Sequence, residues 1–116
     1  MEAKEARQQA EQAYSIYVTE VLQPYMNRLL QSIYERIEMR TLDKKFRVNI
    51  VVPLQKIYVL SPSRTPYNRV KKEAMDYLFT VLQEKGFEVG YRLGGKCLSA
   101  VFFKYVRKSP YVWITW

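Results

Sequence analysis

Two carboxylates at helical spacing are the first candidates for chemistry in this 116-residue sequence. Glu73 and Asp76 are three positions apart in a segment of helical periodicity, so they are neighbours on one helix face. Such a pair could hold Mg²⁺ or act in hydrolysis together with nearby lysines. It is more typical of surface salt bridges, here with Arg69 and Lys72, and we expect that arrangement.

Other side chains used in catalysis are scarce. The sequence has no histidine, which excludes Ser-His-Asp and Cys-His catalysis and every zinc site that needs an imidazole. Cys97 is the single cysteine and lies in an apolar strand-like context, so we expect a buried structural thiol and a reducing compartment. The four glycines match no phosphate-binding loop. We therefore predict a non-enzymatic protein without a catalytic residue, cofactor site or metal site.

Positive charge and aromatic residues alternate in two parts of the chain, whose net charge is +8. Residues 40–72 carry nine basic groups and one acidic group, and residues 89–116 carry five basic groups and no acidic group. Basic groups bind phosphates and aromatic rings stack on bases, so these segments predict a candidate binding surface for nucleic acid. Its members are Lys56, Tyr58, Arg64, Tyr67, Arg69, Lys71, Lys72, Arg92, Lys96, Lys104, Tyr105, Arg107 and Lys108.

A long amphipathic helix is predicted to precede these segments, from about residue 3 to about residue 39. Its apolar residues recur every three or four positions, which places them on one face. Pro24 predicts a kink or a break near Leu22 and Gln23. Residues 1–39 could project from a core formed by residues 40–116 and contact another protein, or could lie across a sheet. The candidate contact residues are Tyr14, Val18, Val21, Tyr25, Leu29, Ile33 and Ile37.

The remaining residues predict an α+β core in a single domain, 1–116. Strands are expected at 46–52 and 55–60, followed by a loop at 61–66. A helix is expected over 66–85, with Thr65 as its N-cap and Gly86 as its left-handed C-terminal residue. A C-terminal antiparallel meander of two or three strands should follow. It comprises 87–93, a turn at Gly94 and Gly95, a buried strand or short helix at 98–106, and a last strand at 111–116.

The end of the helix predicted at 66–85 and the closing strand carry a short motif, formed by Leu82, Lys85, Gly86, Phe87, Val89, Ile114 and Trp116. This motif resembles small proteins of nucleocytoplasmic large double-stranded DNA viruses. The resemblance implies a virion or a virus-assembly context.

A helix followed by a basic two-stranded ribbon is also similar to a winged helix. That fold usually has three compact helices, whereas the sequence predicts one long broken helix and one ordinary helix.

These patterns favour a structural or assembly protein, a minor component of a viral particle that binds other protein subunits. The alternative is a sequence-nonspecific nucleic-acid-binding protein that uses the basic segments 40–72 and 89–116. The first residues are polar, unlike a signal peptide, and no apolar run reaches the length needed to cross a bilayer. We therefore expect the protein in the virion or the host cytoplasm.

Overall fold

The fold is α+β, as predicted. The computed structural model describes the backbone of residues 2–92, 96–98, 105–107 and 110–116, and the side chains of residues 2–90 and 110–116. The elements in order are α1 (Ala3–Tyr17), a π-helical turn (Val18–Leu22), α2 (Gln23–Leu42), β1 (Arg47–Val51), α3 (Gln55–Tyr58), α4 (Tyr67–Glu84), β2 (Glu88–Arg92), β3 (Lys96–Leu98), β4 (Tyr105–Arg107) and β5 (Tyr111–Thr115).

The predicted long helix is continuous, and we call α1, the π turn and α2 together the long helix. At about 1.5 Å per residue its length approaches the longest dimension of the protein, 60 Å. Pro24 does not break it. The π turn precedes the proline, and the Gln23 amide donates to the carbonyl of Val18, five residues back. This wider turn accommodates the proline ring, so the predicted irregularity is confirmed in position and takes the form of a local widening.

Three strands form an antiparallel sheet in the order β1-β5-β2. The side chains of Val48, Ile50, Val112 and Ile114 alternate along β1 and β5 and are buried. They share one core with α2 and α4, which contact β1 and β2, respectively. The residues between them along β1 and β5 point to the opposite face of the sheet, which we call the outer face.

The two shorter strands, β3 and β4, form a separate two-stranded antiparallel sheet, which we call the ribbon. Its pair Lys96–Arg107 lies four positions beyond the pair Arg92–Tyr111 along both strands, so the two pairings share one register. Most of the strand or short helix predicted at 98–106, residues 99–104, lies outside the described residues. Leu98 and Tyr105, on either side of them, belong to two different strands, β3 and β4, which pair antiparallel. The turn predicted at residues 94 and 95 lies outside the described residues.

The second predicted strand, 55–60, is also wrong, because residues Gln55–Tyr58 form the helical turn α3. Its buried residues, Leu54 and Ile57, are three positions apart, which is helical rather than strand spacing. Val59, which the alternating pattern places on the same face as Ile57, is exposed.

The alternation in the first predicted strand starts at Phe46 and predicts that the Phe46 ring faces the core together with Val48. Phe46 instead precedes β1 and is exposed.

The helix predicted at 66–85 is confirmed as α4, with a different start. Pro66 occupies the N-cap position, and the hydroxyl of Thr65 donates to the carbonyl of Pro62 (2.6 Å) instead of capping the helix. The predicted end is confirmed, since Gly86 has φ +90°. The Phe87 amide donates to the carbonyl of Leu82 (3.1 Å) and the Gly86 amide to that of Gln83 (2.9 Å), which is a Schellman motif.

Candidate nucleic-acid and protein contact surfaces

The apolar stripe of the long helix packs within the chain itself. Tyr14, Ile33 and Ile37 are buried members of the core. The stripe therefore does not offer a free face to a second protein, and α2 lies against β1 and α4. Within the long helix, residues 3–13 are exposed throughout. The other predicted contact residues, partly buried against the same core, are Val18, Val21, Tyr25 and Leu29.

Tyrosine hydroxyls attach the long helix to the segment around α3. The Tyr17 hydroxyl donates to the carbonyl of Ile57 (2.7 Å), and the Tyr25 hydroxyl donates to that of Pro53. Burial raises the pKa of Tyr17 to about 12, with a smaller contribution from a neighbouring tyrosine. These bonds satisfy carbonyl groups of an irregular segment, so they fix its position against the long helix.

A bidentate ion pair joins α1 to the start of α4. The guanidinium of Arg69 donates to both carboxylate oxygens of Glu11, at 3.1 and 2.7 Å, and lies 3.8 Å from the centre of the Tyr14 ring. The hydrogen bond from Arg69 lowers the pKa of Glu11, and burial raises the pKa of Tyr14. Arg69 therefore takes Glu11 as its partner rather than Glu73, the partner expected from helical spacing.

The first basic cluster is only partly a surface. Lys56, Arg64 and Lys72 are exposed. Tyr67 and Lys71 are buried, with Lys71 only 6% exposed, so these two are corrections to the predicted binding surface. Lys71 lies four residues after Tyr67 on α4, and helical spacing places it on the buried stripe that continues to Met75 and Leu78. That spacing is the signal that the prediction missed. Tyr58 is half-buried, its ring 5.1 Å from that of Tyr67 in an edge-on arrangement.

The second basic cluster lies on the ribbon and on the end of β2, as far as the backbone is described. Arg92 ends β2, Lys96 begins β3, and Tyr105 and Arg107 bound β4. Lys96 and Arg107 are directly paired in the ladder. Lys104 and Lys108 lie outside the described residues. The described part of this cluster thus divides between the three-stranded sheet and the ribbon.

The outer face of the sheet is a functional candidate that sequence reasoning did not identify. Trp113, in the central strand β5, lies between Asn49 of β1 and Gly90 of β2. The ring centre of Tyr111 is 6.2 Å from that of Trp113, and the guanidinium carbon of Arg47 is 5.8 Å from the same indole. The alternation of aromatic positions 111 and 113 with the aliphatic positions 112 and 114 was the available signal.

A cleft of about 360 Å³ separates the long helix from α4. Glu73 and Asp76 line it together with Glu84, beside the apolar side chains of Leu22 and Met26. Within the described part of the chain, no three His, Cys, Asp or Glu side chains are grouped as ligands for a metal ion. The carboxylates make this side of α4 acidic, so it is an unfavourable contact for phosphate.

No protein family model, curated protein or solved structure matches this chain. Of the helices in the described residues, none combines the length and the apolar character needed to cross a membrane.

Proposed function

We propose that this protein binds nucleic acid, and the observation that carries the proposal is the succession of its elements. The long helix is followed by β1, α3, α4, β2, β3, β4 and β5, and the three-stranded sheet has the order β1-β5-β2. Apart from β3 and β4, this is the succession of a winged-helix domain, which has a helix, a strand, two helices and two strands, with the last strand central. The four-residue helical turn α3 takes the place of the third helix, which the sequence did not predict. This support is an analogy at the level of the fold.

The distribution of charge supplies the second support. Lys56, Arg64 and Lys72 are exposed around the loop that leads into α4 and along its first turns. Arg92 ends β2, and Lys96 and Arg107 lie on the ribbon, in a segment without acidic residues. The positive end of the α4 dipole adds to the field at the first turn of α4. Contact with phosphates should therefore involve the first turns of α4 and the ribbon, and should avoid the acidic cleft.

Salt dependence of binding tests this proposal. A fluorescently labelled DNA duplex should be bound at low salt, and the logarithm of the binding constant should fall linearly with the logarithm of the salt concentration. Lys72→Ala and Arg107→Ala should each lower affinity for all sequences alike and reduce the slope by about 0.9 for each phosphate that is no longer neutralised. Lys4→Ala, on the exposed start of α1, is the matched control. Absence of binding at low salt would refute the proposal.

A second candidate function is that of a structural subunit in a larger assembly, such as a viral particle. The protein would then be located in the virion or in the host cytoplasm. It is favoured by three exposed apolar side chains at the end of α2 and just before β1. Met39 and Phe46 are each 67% exposed and Leu42 is 79% exposed. Such side chains are expected to be covered by another protein.

Size measurement and co-purification test this second candidate. The protein isolated from its native source, after nuclease treatment, should elute above the mass of a 13.9 kDa monomer. Leu42→Asp should reduce that mass by placing a charge in the contact. Leu60→Asp, at an exposed position in the loop after α3, is the matched control. A bare monomer before and after the substitution would contradict an assembly role.

A further inference from the structure

We propose that the outer face of the sheet is a stacking platform for the bases of single-stranded nucleic acid, centred on Trp113 and Tyr111. This inference rests on the proposed nucleic-acid binding and assigns it a second, distinct surface. The winged-helix analogy concerns α4 and the ribbon, whereas Trp113 and Tyr111 are on the face of β5 opposite the core residues Val112 and Ile114.

The packing of Trp113 gives the platform a rigid base. Gly90 is directly opposite Trp113 in the ladder, and a Cβ placed on Gly90 would be well under 3.0 Å from three indole atoms. The missing side chain therefore allows the indole to lie directly against the backbone of β2. Trp113 remains half-buried rather than buried, and Tyr111 beside it is likewise half-buried. Two partly exposed rings on a pleated strand suit stacking with successive bases, because every base has a π face.

Exposed cations on and near this face suit a phosphate backbone. Arg47 is exposed and lies near the Trp113 ring, where its Nε donates to the side-chain oxygen of Asn49 (3.3 Å). Lys44 and Lys45, in the connection between α2 and β1, are also exposed. The acidic residue Glu88 lies at the same end of the face as Arg47, because both pair with Thr115, whose hydroxyl donates to the Glu88 carboxylate (3.3 Å). A cation beside aromatic rings is a combination used for unpaired strands.

Alternative occupants fit this face less well. In a duplex the base faces are already stacked on each other, so a duplex offers Trp113 only its edges and phosphates. A second copy of the same face would bring its own Trp113 and Arg47 and would offer no phosphate groups to the cations. An unpaired strand offers both the bases for the rings and the phosphates for the cations.

Fluorescence of Trp113 alone tests the platform. The chain has two tryptophans, so Trp116→Phe leaves Trp113 as the single reporter. In this variant, addition of a 12-nucleotide oligothymidylate should quench the tryptophan emission. The dissociation constant from this quenching should agree with the one measured by fluorescence anisotropy of the same oligonucleotide carrying a label. A duplex of the same length should bind and leave the emission unchanged.

Substitutions provide the second readout. Trp113→Ala should weaken binding of the oligothymidylate by about 5- to 150-fold, the range for removal of one base–aromatic stack, while duplex binding stays within twofold. Trp113→Phe should retain most of the affinity. Arg47→Ala alters an exposed side chain and should weaken single-strand binding without disturbing the core. Phe46→Ala, another exposed aromatic residue next to β1, is the matched control and should have no effect.

The outcomes separate the two proposals. Binding of both probes with unchanged Trp113 emission and unchanged affinity of Trp113→Ala and Arg47→Ala would overturn the platform and leave nucleic-acid binding intact. Failure of both probes to bind at low salt would overturn nucleic-acid binding and the platform with it. A dimer of the purified protein that Trp113→Ala dissociates would assign the face to a second copy and also overturn the platform.

Discussion

Gly90 lies against the indole of Trp113, and its replacement by alanine measures how closely the two pack. The added methyl group would be well under 3.0 Å from three atoms of the ring, so the indole or strand β2 must shift. Overpacking of this kind costs about 1–3 kcal/mol. Because Trp113 is half-buried, part of the strain can be relieved toward solvent, and we expect a cost near the lower end of that range.

Urea denaturation followed by far-ultraviolet circular dichroism measures this cost. For a small domain the slope of the unfolding free energy is about 1–3 kcal/mol per M urea, so a cost of about 1 kcal/mol should lower the midpoint of Gly90→Ala by roughly 0.3–1 M. The cost should disappear in a Trp113→Ala background, where nothing opposes the methyl group. The coupling energy in a double-mutant cycle should therefore equal this cost, about 1 kcal/mol.

Gly86→Ala is the control for this cycle. A Cβ at Gly86 meets nothing within 4 Å, and the cost there arises from the backbone, at φ +90°. We expect Gly86→Ala to lower the free energy of unfolding by about 1 kcal/mol, and this cost should be the same in the Trp113→Ala background. A free energy of unfolding of Gly90→Ala within about 0.5 kcal/mol of the wild type, which is below the range for overpacking, would refute the packing argument. The argument is also refuted if Gly90→Ala lowers the free energy of unfolding equally in the wild type and in the Trp113→Ala background.

Four substitutions test other residues. Tyr17→Phe leaves a buried carbonyl of the α3 segment without its donor and should lower the free energy of unfolding by about 1–3 kcal/mol in urea denaturation. The pKa of Glu11 is lowered in the folded state, so its ion pair with Arg69 stabilises the protein above the unfolded pKa and is lost as pH falls through the folded pKa. Melting temperatures of wild type and Glu11→Gln should therefore differ at pH 7 and converge as the pH falls below the ordinary pKa of glutamate, about 4.3. Glu11→Gln should also bind duplex DNA more tightly, because it frees Arg69. Lys71 is buried, so Lys71→Ala should lower stability and leave the salt slope of DNA binding unchanged. Lys72 is exposed, so Lys72→Ala should reduce the salt slope and leave stability unchanged.

Features specified by neighbouring residues could be predicted from the sequence. The end of α4 depends on Gly86, which can adopt a left-handed conformation, and on apolar spacing within the same helix. The widened turn before Pro24 follows from the missing amide of proline. Both are local effects, and the α+β class follows from the sum of such local patterns.

Features decided by tertiary packing could not be predicted. The segment around Ile57 has an apolar pattern that suits a strand or a helix, and the hydrogen bond that its carbonyl accepts from Tyr17, 40 positions away, helps to hold it as α3. The start of α4 differs from the prediction because Thr65 bonds to the preceding loop. The outer face around Trp113 required knowledge of the strand order, since Asn49 and Gly90 become its neighbours only when β5 inserts between β1 and β2.

The central place of β5 also has a kinetic consequence. Strands β1 and β2 share no ladder, so the three-stranded sheet exists only when β5 lies between them. The helices need only local contacts, but Val48 must meet Ile114 across most of the chain, and this search is slow compared with helix formation. We expect the amides of β5 to exchange with solvent only when the whole domain opens, whereas those of residues 3–13 exchange by fraying. Substitutions in β5 should therefore report on the last event of folding, and those in α4 on earlier ones.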